Sequence, residues 1–269
     1  MHALPADWVS SYLKRIDYSG PLEPSTDLLM ELQKRHVMSV PYENFDMLAG
    51  RLVSLDLQDI FKKIVVQRRG GYCFELNRLF GALLRQIGFE VVDYVARFWR
   101  DETQTPPKRR HHVLGVRTAT VKEWLLSDVG VGGVVPRLPL RMVADLEQPQ
   151  GRECYRFERD LRFGWKLLER RKGAWNCYYS FTEEPQELND FDFAHYWCQH
   201  APESPFRKAA IACVHTPLGR ATLVGSVFRL FVENRVETFT PQTLEAFRAA
   251  LDTHFGILLP MDFGWPSRE

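Results

Sequence analysis

The segment Arg68-Arg69-Gly70-Gly71-Tyr72-Cys73-Phe74-Glu75-Leu76-Asn77 sets a cysteine where a glycine turn gives way to an apolar stripe of Leu76, Leu79, Phe80, Leu83, Leu84 and Ile87. That spacing predicts a helix from about Cys73 to Gly88, with the thiol in its first turn. A sulfur there lies at the positive end of the helix dipole, beside backbone N–H groups without intrahelical partners. Both features favour thiolate over thiol, and the thiolate is the nucleophile. The same N–H groups can donate to an oxyanion. Gly70-Gly71 let the chain turn sharply and let a substrate approach the sulfur. A buried structural thiol is the competing reading, since free cysteine is among the most buried residue types.

A nucleophilic thiol needs a base, and the base an orienting group. Of eight histidines, only His111 and His112 open a strand-like run (HHVLGV) with a strand-borne acid nearby, Asp128 after EWLLS. A hairpin through TATVKE would set imidazole beside carboxylate. Adjacent strand residues face opposite sides, so one of the two histidines can meet Asp128 and the other cannot. Read blandly, a histidine pair after Arg109-Arg110 is a solvated surface, and an aspartate before glycines is a turn residue. His195, Cys198 and His200 have spacings short enough for a metal. A fourth ligand is not evident in that aromatic helical stretch, so no metal is assigned.

The elements that must position these groups are readable in outline. Helical spacing marks Trp8–Ile16, a segment after Ser25-Thr26 with Leu28, Leu29 and Leu32, and another after Asp56 through Ile60, Phe61, Ile64 and Val65. Beyond about residue 90 the runs become rich in β-branched and aromatic residues, with a helix again near DFDFAHYWCQHA. The last element reads as a helix capped by Thr240, with Pro241 at its first position and Gly256 past its end. Helices, then strands, then a mixed end suggest α+β. The 269 residues are 45% apolar with a formal net charge of +1, which excludes global disorder and argues against a protein built mainly to neutralise phosphates. Five widely spaced cysteines without a C-x-x-C argue against a disulfide scaffold or a cysteine-rich zinc site. No apolar run approaches a membrane span and no secretory signal is seen, so the expected compartment is a reducing cytoplasm, with no membrane or nucleic-acid partner.

RGGYCFELN followed by LFGALLRQIGFEV, HHVLGV and SDVGVGG resembles the arylamine N-acetyltransferases, as do VPYENFD upstream and TPLGRATLVGSVFRLF downstream. The resemblance spans about residues 5 to 260. It implies an α+β fold with a cysteine-protease-like core: an N-terminal helical bundle (1–92) carrying the nucleophile, a central β-barrel (93–205) carrying the histidine and aspartate, and a C-terminal α/β lid (206–269). Cys73 matches the nucleophile and Asp128 the orienting acid. The family's histidine stands five residues before a strand valine, here Val116, which selects His111 over His112. The odd separation of 17 residues from Asp128 keeps the family's parity across the hairpin. Gly130, Gly132 and Gly133 match a glycine loop near the cofactor pyrophosphate, where backbone can approach an anion. Val131 stands where the family commonly has an aromatic, which leaves more room for the acceptor. Tyr42 and Trp99 match positions around the acceptor. The implied activity moves an acetyl group from acetyl-CoA, as co-substrate and without metal, to an arylamine or arylhydrazine through an acetyl-cysteine. Rival readings are an amide synthase releasing a polyketide from a carrier protein, and a Cys-His-Asp hydrolase. A homo-oligomer is left open.

Overall fold

The computed structural model describes residues 4–99, 105–133, 135–259 and Phe263. Helices α1 (Trp8–Arg15) and α2 (Thr26–Ser39) come first, and Ser25 Oγ caps the second by accepting from the Leu28 N–H. A two-residue strand β1 (Tyr42–Glu43) and the short helices α3 (Phe45–Leu48) and α4 (Leu57–Phe61) follow. Asp56 caps α4, which widens into a π-helical turn over Lys62–Val66. Helix α5 (Cys73–Ile87) buries its apolar stripe and ends at Gly88, whose φ of 110° lies where a side chain is strained.

Eight antiparallel strands come next: β2 (Glu90–Phe98), β3 (Arg109–Thr118), β4 (Val121–Ser127), β5 (Leu140–Arg141), β6 (Gln148–Gln150), β7 (Glu153–Asp160), β8 (Gly164–Arg171) and β9 (Ala174–Phe181). Their order is β5-β4-β3-β2-β9-β8-β7-β6, a sheet curled until its two ends nearly meet. Strand β3 is buried along almost its whole length, which explains why HHVLGV lacks polar alternation. The outer strands β5 and β6 share no ladder. Glutamine side chains of β6 act as the missing one: Gln148 accepts from the Arg141 N–H (2.8 Å) and donates to its carbonyl (3.0 Å). Gln150 does the same to Leu138 (3.0 and 2.8 Å).

After α6 (Asp192–His200) the chain forms a second antiparallel sheet from β10 (Ile211–Thr216), β11 (Gly219–Val224), β12 (Val227–Val232) and β13 (Arg235–Phe239), and then α7 (Leu244–Phe255). Strand β1 joins its edge, Tyr42 opposite Cys213 and Glu43 opposite Ala212. Asn44 fixes that junction: its amide donates to the Phe206 and Ala209 carbonyls (both 2.8 Å), and its oxygen accepts from the Ile211 N–H (2.7 Å). Phe45 accordingly packs in the C-terminal core with Leu223, Phe228, Phe247 and Leu251. Helix α7 starts three residues later than its sequence suggested. Thr243, not Thr240, caps it by accepting from the Ala246 N–H (3.1 Å), and its buried face is Phe247, Leu251 and Phe255, one turn further on. Gly256 ends it in the left-handed conformation, as expected.

Candidate active site

Cys73 is the first residue of α5 and is buried. The turn before it is locked from several directions. Gly71 and β1 exchange backbone hydrogen bonds, Glu43 N–H to the Gly71 carbonyl (2.9 Å) and Gly71 N–H to the Pro41 carbonyl (3.3 Å). Glu75, one turn into α5, accepts from the Tyr72 N–H (3.1 Å) and from Lys63 (2.9 Å). Lys63 also pairs with Asp46, and Arg69 pairs with both Glu43 (2.8 Å) and Asp46 (3.3 Å). The paired glycines are required by this packing. A Cβ on Gly70 would sit 1.9 Å from the Pro41 carbonyl oxygen, and one on Gly71 would strike Glu75.

The two histidines separate as strand alternation requires. His111 Nε2 meets Asp128 Oδ2 at 2.7 Å, while His112 Nε2 meets Asp93 Oδ1 at 2.8 Å on the other side of β3. The His112 ring lies between Phe191 and Phe74, with ring centroids 4.5 and 6.3 Å away. His111 and Cys73 line the same cleft and interact electrostatically, while the thiol itself lies 3.8 Å from the Arg110 carbonyl. With Nε2 on the carboxylate, Nδ1 is the ring's other nitrogen. Burial alone would lower the His111 pKa, but the Asp128 carboxylate, its hydrogen bond and the contact with Cys73 outweigh it and push it up to about 10. Burial pulls Asp128 the other way, upward. His111, Asn77 and the Gly130 N–H together hold it below the usual carboxylate range. The imidazolium–carboxylate form is therefore the stable one.

Asn77 carries a role that the sequence reading assigned to no residue. One turn along α5 from Cys73, its amide donates to Asp128 Oδ1 (2.9 Å) and to the His112 carbonyl (2.7 Å), and its oxygen accepts from the Val129 N–H (2.9 Å). The available signal was the i,i+4 spacing from Cys73 and an asparagine inside an otherwise apolar helix face.

A cleft of about 130 Å³ opens on the sulfur, lined among others by Tyr42, Phe98, Arg110, Val131, Gly132 and Phe206. Tyr42 and Val131 both line this cleft. The loop after Asp128 approaches closely: a Cβ on Gly130 would lie 2.7 Å from Cys73 Cα, and one on Gly132 would lie 2.5 Å from the Tyr42 ring. The Gly133 carbonyl accepts from the Cys213 thiol (3.0 Å). Trp99 is elsewhere. Its indole donates to Ser180 Oγ (2.6 Å) and packs on Phe163, while its neighbour Phe98 meets the His111 ring at 5.5 Å. His195 is committed to Tyr72 and to Val53 and Gln199, and His200 to the Tyr196 carbonyl. Among the described residues no cluster of three or more metal-ligating side chains occurs, and no helix is long and apolar enough to cross a membrane.

Residues 25–263 match the family profile described as N-acetyltransferase, which sets the class as acyl-transferring enzymes. Relatives narrow it. The arylamine N-acetyltransferase of Escherichia coli K12 is 33% identical over 93% of this chain and 88% of its own. The Salmonella typhimurium arylamine N-acetyltransferase structure superposes with a TM-score of 0.90 at 29% identity, covering 97% and 95% of the two chains. That of Mycobacterium marinum in complex with CoA gives 0.87 at 30% identity, covering 93% and 92%. The chain belongs to the arylamine N-acetyltransferase family and is an enzyme of that kind, its family chemistry being acetyl transfer to arylamines.

Proposed function

We propose that the chain transfers acetyl from acetyl-CoA to an aromatic amine or hydrazine in two half-reactions through acetyl-Cys73. The observation that carries this reading is the 2.7 Å contact of His111 with Asp128 beside a cleft that His111 and Cys73 both line. His111 holds the proton given up by the Cys73 thiol, and Asp128 orients the ring and stabilises the imidazolium. The Cys73 sulfur attacks the thioester carbonyl. The Cys73 and Phe74 N–H groups, which open α5 before any intrahelical acceptor, can donate to the developing oxyanion. The C–S bond to CoA breaks and His111 returns the proton to the departing thiolate. The amine nitrogen then attacks acetyl-Cys73, His111 accepts its proton, and the sulfur leaves as the amide forms. Exchange of one thioester for another is nearly thermoneutral, so the acyl-enzyme can form readily and wait for a weak nucleophile.

On the same reading Gly130, Gly132 and Gly133 present backbone to the donor, Tyr42 and Val131 border the acceptor, and the chain divides near residues 92 and 205 into bundle, barrel and lid. Support for donor binding is the CoA complex of the Mycobacterium marinum neighbour. Incubation with acetyl-CoA and no amine tests the scheme by intact mass: one acetyl adduct is expected on wild type and none on Cys73→Ala. An adduct on another cysteine, or turnover only with a carrier-bound chain, overturns it.

A further inference from the structure

The residue before His111 is displaced from the regular strand. Ala96 of β2 pairs with His111 and the next residue, Arg97, pairs with Arg109, so Arg110 is an extra residue, a β-bulge. Bulges redirect side chains and concentrate beside active sites. This one turns the Arg110 carbonyl toward the Cys73 thiol (3.8 Å), and Arg110 lines both the cleft and a neighbouring pocket that also holds Trp197 and Asp190. The guanidinium lies 5.7 Å from the Phe206 ring centre and 5.9 Å from that of Trp197. Those contacts hold it in place, but among the described residues no carboxylate pairs with it, and none lines the cleft. A half-buried cation aimed at a site, held by aromatic faces and left without a counter-charge, is a recognition group for an anion.

The remaining walls say what kind of anion. Tyr42, Phe98 and Phe206 offer flat apolar faces, and about 130 Å³ suits one six-membered ring, given that a protein cavity of roughly 150 Å³ binds benzene. Resting on the acetyl-transfer reading above, we propose that Arg110 is the specificity-determining residue of the acceptor cleft and selects aromatic amines that carry a ring carboxylate.

Wild type, Arg110→Gln and Arg110→Lys are acetylated with acetyl-CoA. The loss of the Cys73 adduct is then timed with 4-aminobenzoate or with its neutral counterpart 4-aminobenzamide. The ratio of the two rates is expected to fall about tenfold or more in Arg110→Gln, the scale of a hydrogen bond to a charged group, and to recover in part in Arg110→Lys. An unchanged ratio overturns the proposal. So does a defect confined to acetylation by acetyl-CoA and absent with S-acetyl-N-acetylcysteamine, which lacks phosphates and would assign Arg110 to the donor. If wild type forms no adduct, the transferase reading fails separately. Arg110 is then judged by benzoate slowing iodoacetamide alkylation of Cys73 more than benzamide does, an effect expected in wild type and lost in Arg110→Gln. Equal protection by the two overturns the proposal.

Discussion

Asn77 ties three chain segments together with one buried amide: the helix that bears the thiol, the strand that bears the imidazole, and the loop that bears the carboxylate. Asn77→Ala takes this partner from the His112 carbonyl and the Val129 N–H, while Asp128 Oδ1 keeps the Gly130 N–H. Because each such loss costs about 1–3 kcal/mol, chemical denaturation should show a destabilisation of roughly 2–6 kcal/mol, and acetylation of Cys73 should slow about tenfold. The histidine pair separates function from fold. His111→Gln should abolish the acetyl adduct. His112→Gln should keep it and instead lower the melting temperature by several degrees, since that ring only bonds Asp93 and packs between phenylalanines. That only one of these neighbours meets Asp128 was readable because strand alternation is a local rule, whereas which one it is came from the family resemblance; Cys73 was readable because a helix tip is a local feature. Asn77 was not, since its partners lie 35 and 51 residues away. Trp99 lies just past the end of β2 with its indole on Ser180, while its neighbour Phe98 lines the cleft, a difference that a sequence match alone does not fix.

At the scale of elements, the barrel holds His111 on β3 and Asp128 just past the end of the adjacent β4, while its own ends close through glutamine amides. Gln148→Ala with Gln150→Ala removes four hydrogen bonds worth about 1 kcal/mol or less each, the exposed Gln148 contributing least. A loss of roughly 2–3 kcal/mol is expected. Amide hydrogen exchange should rise at Leu138 and Arg141 before it rises in β2 or β3; uniform exchange throughout the barrel would contradict this picture. Strand-like runs were visible in outline, but their order and this closure were not. Two glutamines in QPQ look like surface residues until the chain returns them to Leu138 and Arg141. The late start of α7 is the same kind of miss: two threonines three residues apart can both cap, and the Thr243 side chain is the one that accepts from the helix, whose buried face is Phe247, Leu251 and Phe255.

For the whole molecule, buried imidazoles set opposing limits with pH. His111 has its pKa raised to about 10, so its contribution is complete below the unfolded value of 6.5 and is lost as pH climbs toward 10. His36 and His215 are driven down to about 3, both by burial first and then by nearby arginines. They stay neutral in the fold while the unfolded chain takes up protons, so stability falls as pH drops from 6.5 toward 3. Each costs about 1.4 kcal/mol per pH unit in that range. Melting temperature should therefore peak near pH 6.5, and His111→Gln should flatten only the alkaline limb. A monotonic profile would contradict these assignments.

The junction at Asn44 has a further consequence, for biosynthesis. Its anchor at Ile211 is 167 residues downstream, which a ribosome takes roughly ten to thirty seconds to supply. Until then the nascent chain displays an open edge beside its reactive sulfur. Premature termination anywhere before β10 should thus yield a product with Tyr42 adrift and its thiol unguarded, a natural client for chaperones and proteases rather than a partially working catalyst.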